Sequence, residues 1–369
     1  MKVAVVFPYY AHYRSSIVKE LAANENIDYY FLGGNNTPAQ FANMKVLDME
    51  KFNFIETKNT WFLKYFSVQP KLLSEIKRGE FDAVIIFADW KYLSTWIVLF
   101  YLRLRKKRAI FWSHGFRAFK ITLNNLIKKK YFRLFDSGLV FDNRAKDILD
   151  NLGFQNIEVV YNSLDFDKQD EIYNNLKSKV DFAKAKEQPY VVFTGRLTVS
   201  KNLELILKAI HHLKVNDVII NLVLIGDGEN RNKLQEVARD LDILNQVEFL
   251  GSCYDENIIA NAISSACVSV IPSAVGLSAI HALTYGCPVI TDKNFIRHGP
   301  EVQSIVENYS GLYYDFNDYI DLADKIKYFI NLTPEERNIF SKNCRKMVKE
   351  NYTANNQAKI IERMLLKNI

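Results

Sequence analysis

Three stretches of the 369-residue chain carry the residue types that could do chemistry, and the first combines those able to hold a phosphate. In VVFTGRLTVSKN an apolar run ends at Gly195, Arg196 follows directly, and Lys201 opens a helical pattern. Glycine lets a backbone come close to a ligand, and arginine offers a two-pronged donor to phosphate oxygens. Lysine adds a point charge and a helix N-terminus adds its dipole. The group suits a diphosphate; the plainer reading is an exposed loop with two ordinary basic residues.

In LIGDGENRNKL a strand pattern runs into Gly226-Asp227-Gly228 and then a helix. The third glycine of the dinucleotide fingerprint is missing, so a tight turn is the firmer expectation, with Asp227 and Glu229 as acids at a helix start. In VIPSAVGLSAIHALTYGCPVIT a strand leads through Ser273 and Gly276-Leu277 into a helix that carries His281 among apolar residues. A lone histidine in that setting is commonly a satisfied core residue.

These stretches must be positioned by something, and apolar periodicity says what. Short apolar runs at 2–7, 28–32, 83–87, 109–112, 138–141 and 158–161 alternate with helical patterns such as 13–23 and 144–152. That is a βαβ series, hence a parallel sheet with helices on both faces. Residues 162–188 are polar and poor in β-formers, which reads as a linker with room for one exposed helix. A second series follows, with strand patterns at 190–194, 219–225, 247–250, 268–271 and 288–291 and helical patterns at 202–213, 230–241, 257–264 and 277–285. Helical patterns at 318–331, 334–351 and 354–366 close the chain, the second opened by Thr333-Pro334-Glu335-Glu336. The expectation is an α/β protein with two Rossmann-like, doubly wound parallel-sheet domains facing a central cleft. Its parts are 1–165, a hinge at 166–188, 189–351, and a terminal helix at 352–369 crossing back to the first domain. Ligands of such sheets bind beyond the carboxyl ends of the strands.

Composition agrees with a folded protein and not a disordered one: 49% hydrophobic and 24% charged residues. Four cysteines without CxxC spacing are expected as free, largely buried thiols. The opening MKVAVVFPYY lacks the apolar length and cleavage site of an export signal, so a cytoplasmic location is expected. The apolar stretch at 92–104 is too short to span a bilayer unaided. Residues 1–187 carry 29 Lys and Arg against 21 Asp and Glu, whereas residues 188–369 carry 19 against 21. Residues 90–135 hold 12 basic side chains and no acid. The plainer reading there is a packed helix with a solvated charged end. The sharper one is an anionic membrane surface, with the protein peripheral on the inner face of the cytoplasmic membrane. No nucleic-acid partner is expected. No GxxxxGK[ST] loop and no HExxH occurs, and the acidic triplets at 165–167 and 240–242 match a metal-binding DxD no better than chance, so no metal site is expected.

These three stretches, in this order, resemble the family-4-like group of retaining GT-B glycosyltransferases (glycosyl transferases group 1), best over residues 188–315. Three more segments extend the resemblance: AIFWSHGFR, ending a strand near His114; VVYNSLD, with Asn162 and Asp165; and FPYYAHYRSSIVKELA, which places Tyr13 and Arg14 on the acceptor side. The resemblance implies a nucleoside-diphosphate sugar as donor, a glycan or lipid-linked glycan as acceptor, no cofactor, and a setting in cell-surface polysaccharide assembly. Arg196 and Lys201 match the pair that neutralises the departing diphosphate, which stabilises the transition state more than the ground state. His114 matches a residue that reaches the donor sugar or nearby reacting oxygens. Gly195, Asp227, Gly276 and Leu277 fall at donor-binding positions, and Leu250 and Gly251 in the loop that cups the base.

One departure matters. The group carries two glutamates eight residues apart where this chain has Ser273 and His281. Ser273 cannot replace a charge, and His281 makes at most a weaker contact with ribose hydroxyls. Glu301 or Glu307, downstream, is a candidate to face the cleft instead. Two other readings stay open: a sugar-nucleotide epimerase of the same fold, and a non-catalytic nucleotide-sugar-binding relative.

Overall fold

In a strand, side chains alternate between faces, so a strand covered by helices on both sides must be apolar at every position. The first strand shows it. In the computed structural model, Val3, Val5 and Phe7 join one buried cluster, while Ala4 and Val6 join another on the opposite face. The structure describes residues 1–38, 45–63, 65–118, 120–177 and 189–367; the part of the expected hinge at 178–188 lies outside them. The chain forms two units: Met1–Ser163 with Ala354–Ile369, and Leu164–Thr353.

The first unit runs β1 (Lys2–Tyr9), α1 (Ser15–Ala22), β2 (Asp28–Gly34), β3 (Phe54–Glu56), a hairpin of β4 (Thr60–Phe62) and β5 (Phe66–Val68), then α2 (Leu72–Gly79) and β6 (Ala83–Phe87). It continues through α3 (Leu93–Leu104), β7 (Arg108–Ser113), α4 (Leu123–Phe132), β8 (Ser137–Val140), α5 (Asn143–Asn151) and β9 (Ile157–Val159). Among the described residues its main sheet has the order β3-β2-β1-β6-β7-β8-β9, and every pairing is parallel. β1 pairs β2 on one side (Val5 with Phe31) and β6 on the other (Val5 with Ile85), so the order reverses at β1.

The second unit begins with α6 (Phe166–Lys177) and continues β10 (Tyr190–Thr194), α7 (Glu204–Val215), β11 (Asn221–Ile225), α8 (Arg231–Asp240), β12 (Val247–Gly251) and α9 (Glu256–Ser264). β13 (Val268–Val270), α10 (Leu277–Thr284), β14 (Val289–Asp292), β15 (Gly311–Tyr314), α11 (Tyr319–Ile330) and α12 (Pro334–Asn351) complete it. The sheet order β12-β11-β10-β13-β14-β15 is the doubly wound Rossmann order, with the switch between β10 and β13. α12 starts as its sequence demands: Thr333 Oγ1 accepts from the Glu336 amide and Glu336 Oε2 accepts from the Thr333 amide, a complete capping box.

The last helix, α13 (Ala354–Leu366), belongs to the first unit. Its Ile361, Met364 and Leu365 share a core cluster with Ile17 and Leu21 of α1. Arg108 caps it by donating to the carbonyls of Leu365 at 2.6 Å and Met364 at 2.9 Å. Among the described residues no helix is long and apolar enough to cross a membrane. All four cysteines are free thiols, and three are buried.

Candidate functional site

At the switch point of the second sheet, β10 ends in Gly195, whose φ of +140° leaves the strand in a way that favours glycine. The Gly226–Gly228 pair explains itself sterically. A Cβ on Gly226 would lie 1.9 Å from the Gly195 oxygen, and one on Gly228 would lie 2.5 Å from the Leu197 oxygen. The Gly226 amide in turn donates to the Gly251 carbonyl at 2.8 Å. Three loop ends are thus stitched backbone to backbone along the carboxyl edge. Asp227 is exposed and turned onto its own loop, accepting from the Gly228 amide at 2.8 Å and facing Arg231 at 3.7 Å. Leu250 is exposed beside it on the β12 end, where Arg231 lies over the Phe249 ring.

Across the switch point, β13 leads into the 272–277 loop. Lys201, half-buried in a short 3-10 turn, donates from Nζ to the Ala274 carbonyl at 2.5 Å. Burial lowers its pKa, Arg196 lowers it further, and Glu301 opposes them. Those influences place exposed Arg196, Lys201 and buried Glu301 in one neighbourhood. Gly276 and Leu277 complete it: Gly276 precedes α10 without any side-chain cap, and nothing lies within 4 Å of where its Cβ would be. The first amides of α10 are therefore available to an anion.

The loop has a buried support. His298 Nδ1 accepts from the Val275 amide at 3.2 Å, so Nε2 carries the proton and donates to Asp292, 3.0 Å to its carbonyl and 3.3 Å to Oδ1. The Val275 carbonyl accepts from the Gly299 amide at 2.8 Å. Ser273 Oγ is buried with no hydrogen-bond partner among the described residues.

His281, one turn into α10, is bonded to a carboxylate from another helix. Its Nε2 lies 2.7 Å from Glu256 Oε1, which also accepts from Tyr285 Oη at 2.6 Å and Gln169 Nε2 at 3.0 Å. Burial alone raises the Glu256 pKa, but the hydrogen bond and charge of His281, with the hydrogen bonds from Tyr285 and Gln169, outweigh it and hold the carboxyl at about 2. It is an anion at every physiological pH.

In the first unit, Arg14 and His114 meet at that sheet's own switch point. Arg14 is 9% exposed, and its guanidinium lies 4.5 Å from the Phe7 ring and 5.7 Å from that of its neighbour Tyr13. His114 stands at the end of β7 with its ring 4.6 Å from Phe141 and 6.4 Å from Phe87. Desolvation, then the charges of Arg14, Lys128 and Arg117, push its pKa down to about 4. Its exposed face lets water screen part of this, and the imidazole is neutral at pH 7 with or without that part.

Residues 174–347 match the family described as Glycosyl transferases group 1. The chain carries a glycosyltransferase domain. An uncharacterized glycosyltransferase of Haemophilus influenzae is 25% identical over 289 residues, 77% of this chain and 75% of the relative. The GalNAc-alpha-(1->4)-GalNAc-alpha-(1->3)-diNAcBac-PP-undecaprenol alpha-1,4-N-acetyl-D-galactosaminyltransferase of Campylobacter jejuni is 25% identical over 294 residues, 78% of this chain and 76% of that one. Among solved structures, the apo form of the lipopolysaccharide outer core galactosyltransferase WaaB matches with a TM-score of 0.73 at 16% identity, covering 100% of both chains. That likeness gives the fold, GT-B.

The transferase holds two features that its sequence did not single out. Glu256 looks like any helix-start acid until folding sets it against position 281. Lys128 is one of three consecutive lysines, and no spacing distinguishes the one that turns inward. A third feature was half legible. α3 exposes Leu93, Ile97, Phe100 and Leu104 along one side, with Leu104 83% exposed. Beside its C-terminal end, Arg103, Lys106, Lys107, Arg108 and Arg133, with Asp136 as the acid among them, line a cavity of about 390 Å³.

Proposed function

We propose that this glycosyltransferase moves a hexose-type sugar from a nucleoside-diphosphate donor onto a glycan or lipid-linked glycan, with retention and without a metal. The observation that carries the reading is the convergence of Arg196, Lys201 and the uncapped start of α10 on the switch point of the second sheet. The bond between the anomeric carbon and the β-phosphate oxygen breaks as the acceptor hydroxyl oxygen bonds to that carbon, and the hydroxyl proton passes to the departing diphosphate. Negative charge grows on the departing diphosphate. Lys201, held beforehand by the Ala274 carbonyl, and the helix N-terminus, together with Arg196, stabilise that charge more than the ground state.

We assign the donor to the second unit and the acceptor to the first, where His114 offers a neutral imidazole and Tyr13 and Arg14 a polar edge. A lipid-linked acceptor agrees with the outward chemistry of α3, whose apolar stripe adjoins a basic cavity and fits an anionic bilayer. The relative from Campylobacter jejuni is named for an undecaprenol-linked acceptor. We place the enzyme accordingly at the inner face of the cytoplasmic membrane, in cell-surface polysaccharide assembly.

The test is acceptor-dependent release of nucleoside diphosphate from a panel of donors, with the anomeric configuration of the product read by NMR and with chelator present throughout. Release that requires acceptor, with the donor's configuration kept, supports the reading. Release or sugar epimerisation without acceptor points to the epimerase alternative instead.

A further inference from the structure

A buried guanidinium is normally answered by a carboxylate, because a charge taken out of water without a partner is costly. Arg14 has no such answer. Among the described residues its guanidinium makes no hydrogen bond or ion pair, and its surroundings are aromatic. Besides Phe7 and Tyr13, the Trp112, Phe87 and Phe141 rings lie 5.6, 5.6 and 5.9 Å from the guanidinium carbon. Ring faces contribute a modest attraction each but accept none of the five N–H donors. The guanidinium nitrogens are not sealed in either, since none is among the buried atoms left unsatisfied.

The rest of the neighbourhood has the same sign. His114 shares the Phe87 and Phe141 rings with Arg14. Lys128 reaches from α4 to donate to the carbonyl of Gly115, the residue after His114, and lies 4.9 Å over the Phe116 ring. Desolvation drives the Lys128 pKa down to about 8; Asp89 opposes this, and Arg117 and Lys91 add to it. Arg14, Lys128 and Arg117 thus bear on a neutral imidazole, Lys91 adds to the positive charge at Lys128, and Asp89 opposes it there. This excess of positive charge sits at the carboxyl edge of the first sheet, where its strand order reverses and ligands of such sheets bind.

We propose that this edge is a phosphoryl-binding well, in which Arg14 and Lys128 take a phosphate or diphosphate group carried by the acceptor. The proposal rests on the reading of the first unit as the acceptor side and narrows it: the acceptor is anionic near its reacting end. A group with more than one negative charge fits better than a carboxylate, because several cations converge and arginine presents a fork to phosphate oxygens. Two sources share that chemistry, a lipid-linked diphosphate and a soluble sugar phosphate.

The test uses the full-length Arg196→Ala/Lys201→Ala protein, so that phosphate cannot be taken up at the donor loop, and calorimetry with inorganic pyrophosphate. One equivalent is expected to bind, at least tenfold more weakly when Arg14→Gln or Lys128→Gln is added and unchanged with the exposed Lys130→Gln. Displacement by polyprenyl diphosphate in detergent micelles assigns the lipid-linked source, and displacement by glucose 1-phosphate the soluble one. Absence of binding, or binding indifferent to both substitutions, overturns the proposal. Should Arg14→Gln fail to fold by thermal melting, Lys128→Gln decides alone. Wild-type turnover of a donor onto a neutral acceptor, together with no pyrophosphate binding, removes this inference and leaves the transfer reading standing. Pyrophosphate binding with no donor turned over does the reverse.

Discussion

Lys201 Nζ and the Ala274 carbonyl are 2.5 Å apart, and the contact bridges the two loops that flank the switch point of the second sheet. Ala274 has a φ of +49°, a left-handed conformation that few alanines adopt. The lysine is thereby held in place before any ligand arrives, the condition under which a charge stabilises a transition state without reorganising. Replacing Lys201 with alanine is expected to lower kcat/KM by about two to three orders of magnitude, the scale of losing one preorganised donor. Steady-state kinetics beside thermal melting checks this, with a melting temperature near wild type expected.

The loop stitching at Gly226 makes a stability prediction. Gly226→Ala puts a Cβ 1.9 Å from the Gly195 oxygen at a φ of +137°. Backbone must shift, and a loss of about 2–4 kcal/mol is expected in denaturant unfolding. Gly276→Ala, with open space around it and ordinary φ, is expected to change stability by under about 1 kcal/mol.

The Glu256–His281 pair predicts a pH dependence. Glu256 has a folded pKa of about 2 against an ordinary value of 4.5. Its contribution to stability is therefore fully present above pH 4.5 and is lost as the pH falls toward 2, because the unfolded chain then binds the proton more readily. Glu256→Gln should remove on the order of 2–3 kcal/mol at neutral pH and flatten the stability profile across that window. His281→Glu, which restores the residue type of the resembled group, sets a second carboxylate against the first and is expected to destabilise. Adding Glu256→Gln should recover much of that loss, measured as a double-mutant cycle.

What the sequence showed and hid follows from length and distance. The strands that carry the site, β1, β7, β10 and β13, read as apolar runs because helices cover both faces, and their ends fell within a residue or two of expectation. β3, β4 and β5 have three residues each, too few for a period to show. β15 is Gly-Leu-Tyr-Tyr, and its glycine and polar flanks masked it. The expected linker opens with a helix, α6, whose Gln169 reaches Glu256. Local patterns expose elements; contacts between residues 25 or 87 positions apart, such as those of Glu256 with His281 and Gln169, exist after folding alone.

The exposed side of α3 predicts membrane binding with a defined chemistry. Vesicles containing anionic lipid should sediment the protein at low salt and release it as salt rises, since each basic residue near the surface contributes roughly 1 kcal/mol. Phe100→Ser with Leu104→Ser should weaken sedimentation about tenfold or more while leaving donor binding unchanged. Equal sedimentation with neutral vesicles contradicts the electrostatic part.

We propose that the second unit binds a nucleoside diphosphate through Arg196 and Lys201. Calorimetry of a nucleoside-diphosphate panel in chelator, on wild type and on Arg196→Ala/Lys201→Ala, tests it most directly. One diphosphate is expected to bind at one site per chain, and the double variant, still folded, is expected to lose it. A folded wild-type protein that binds none of the panel contradicts it.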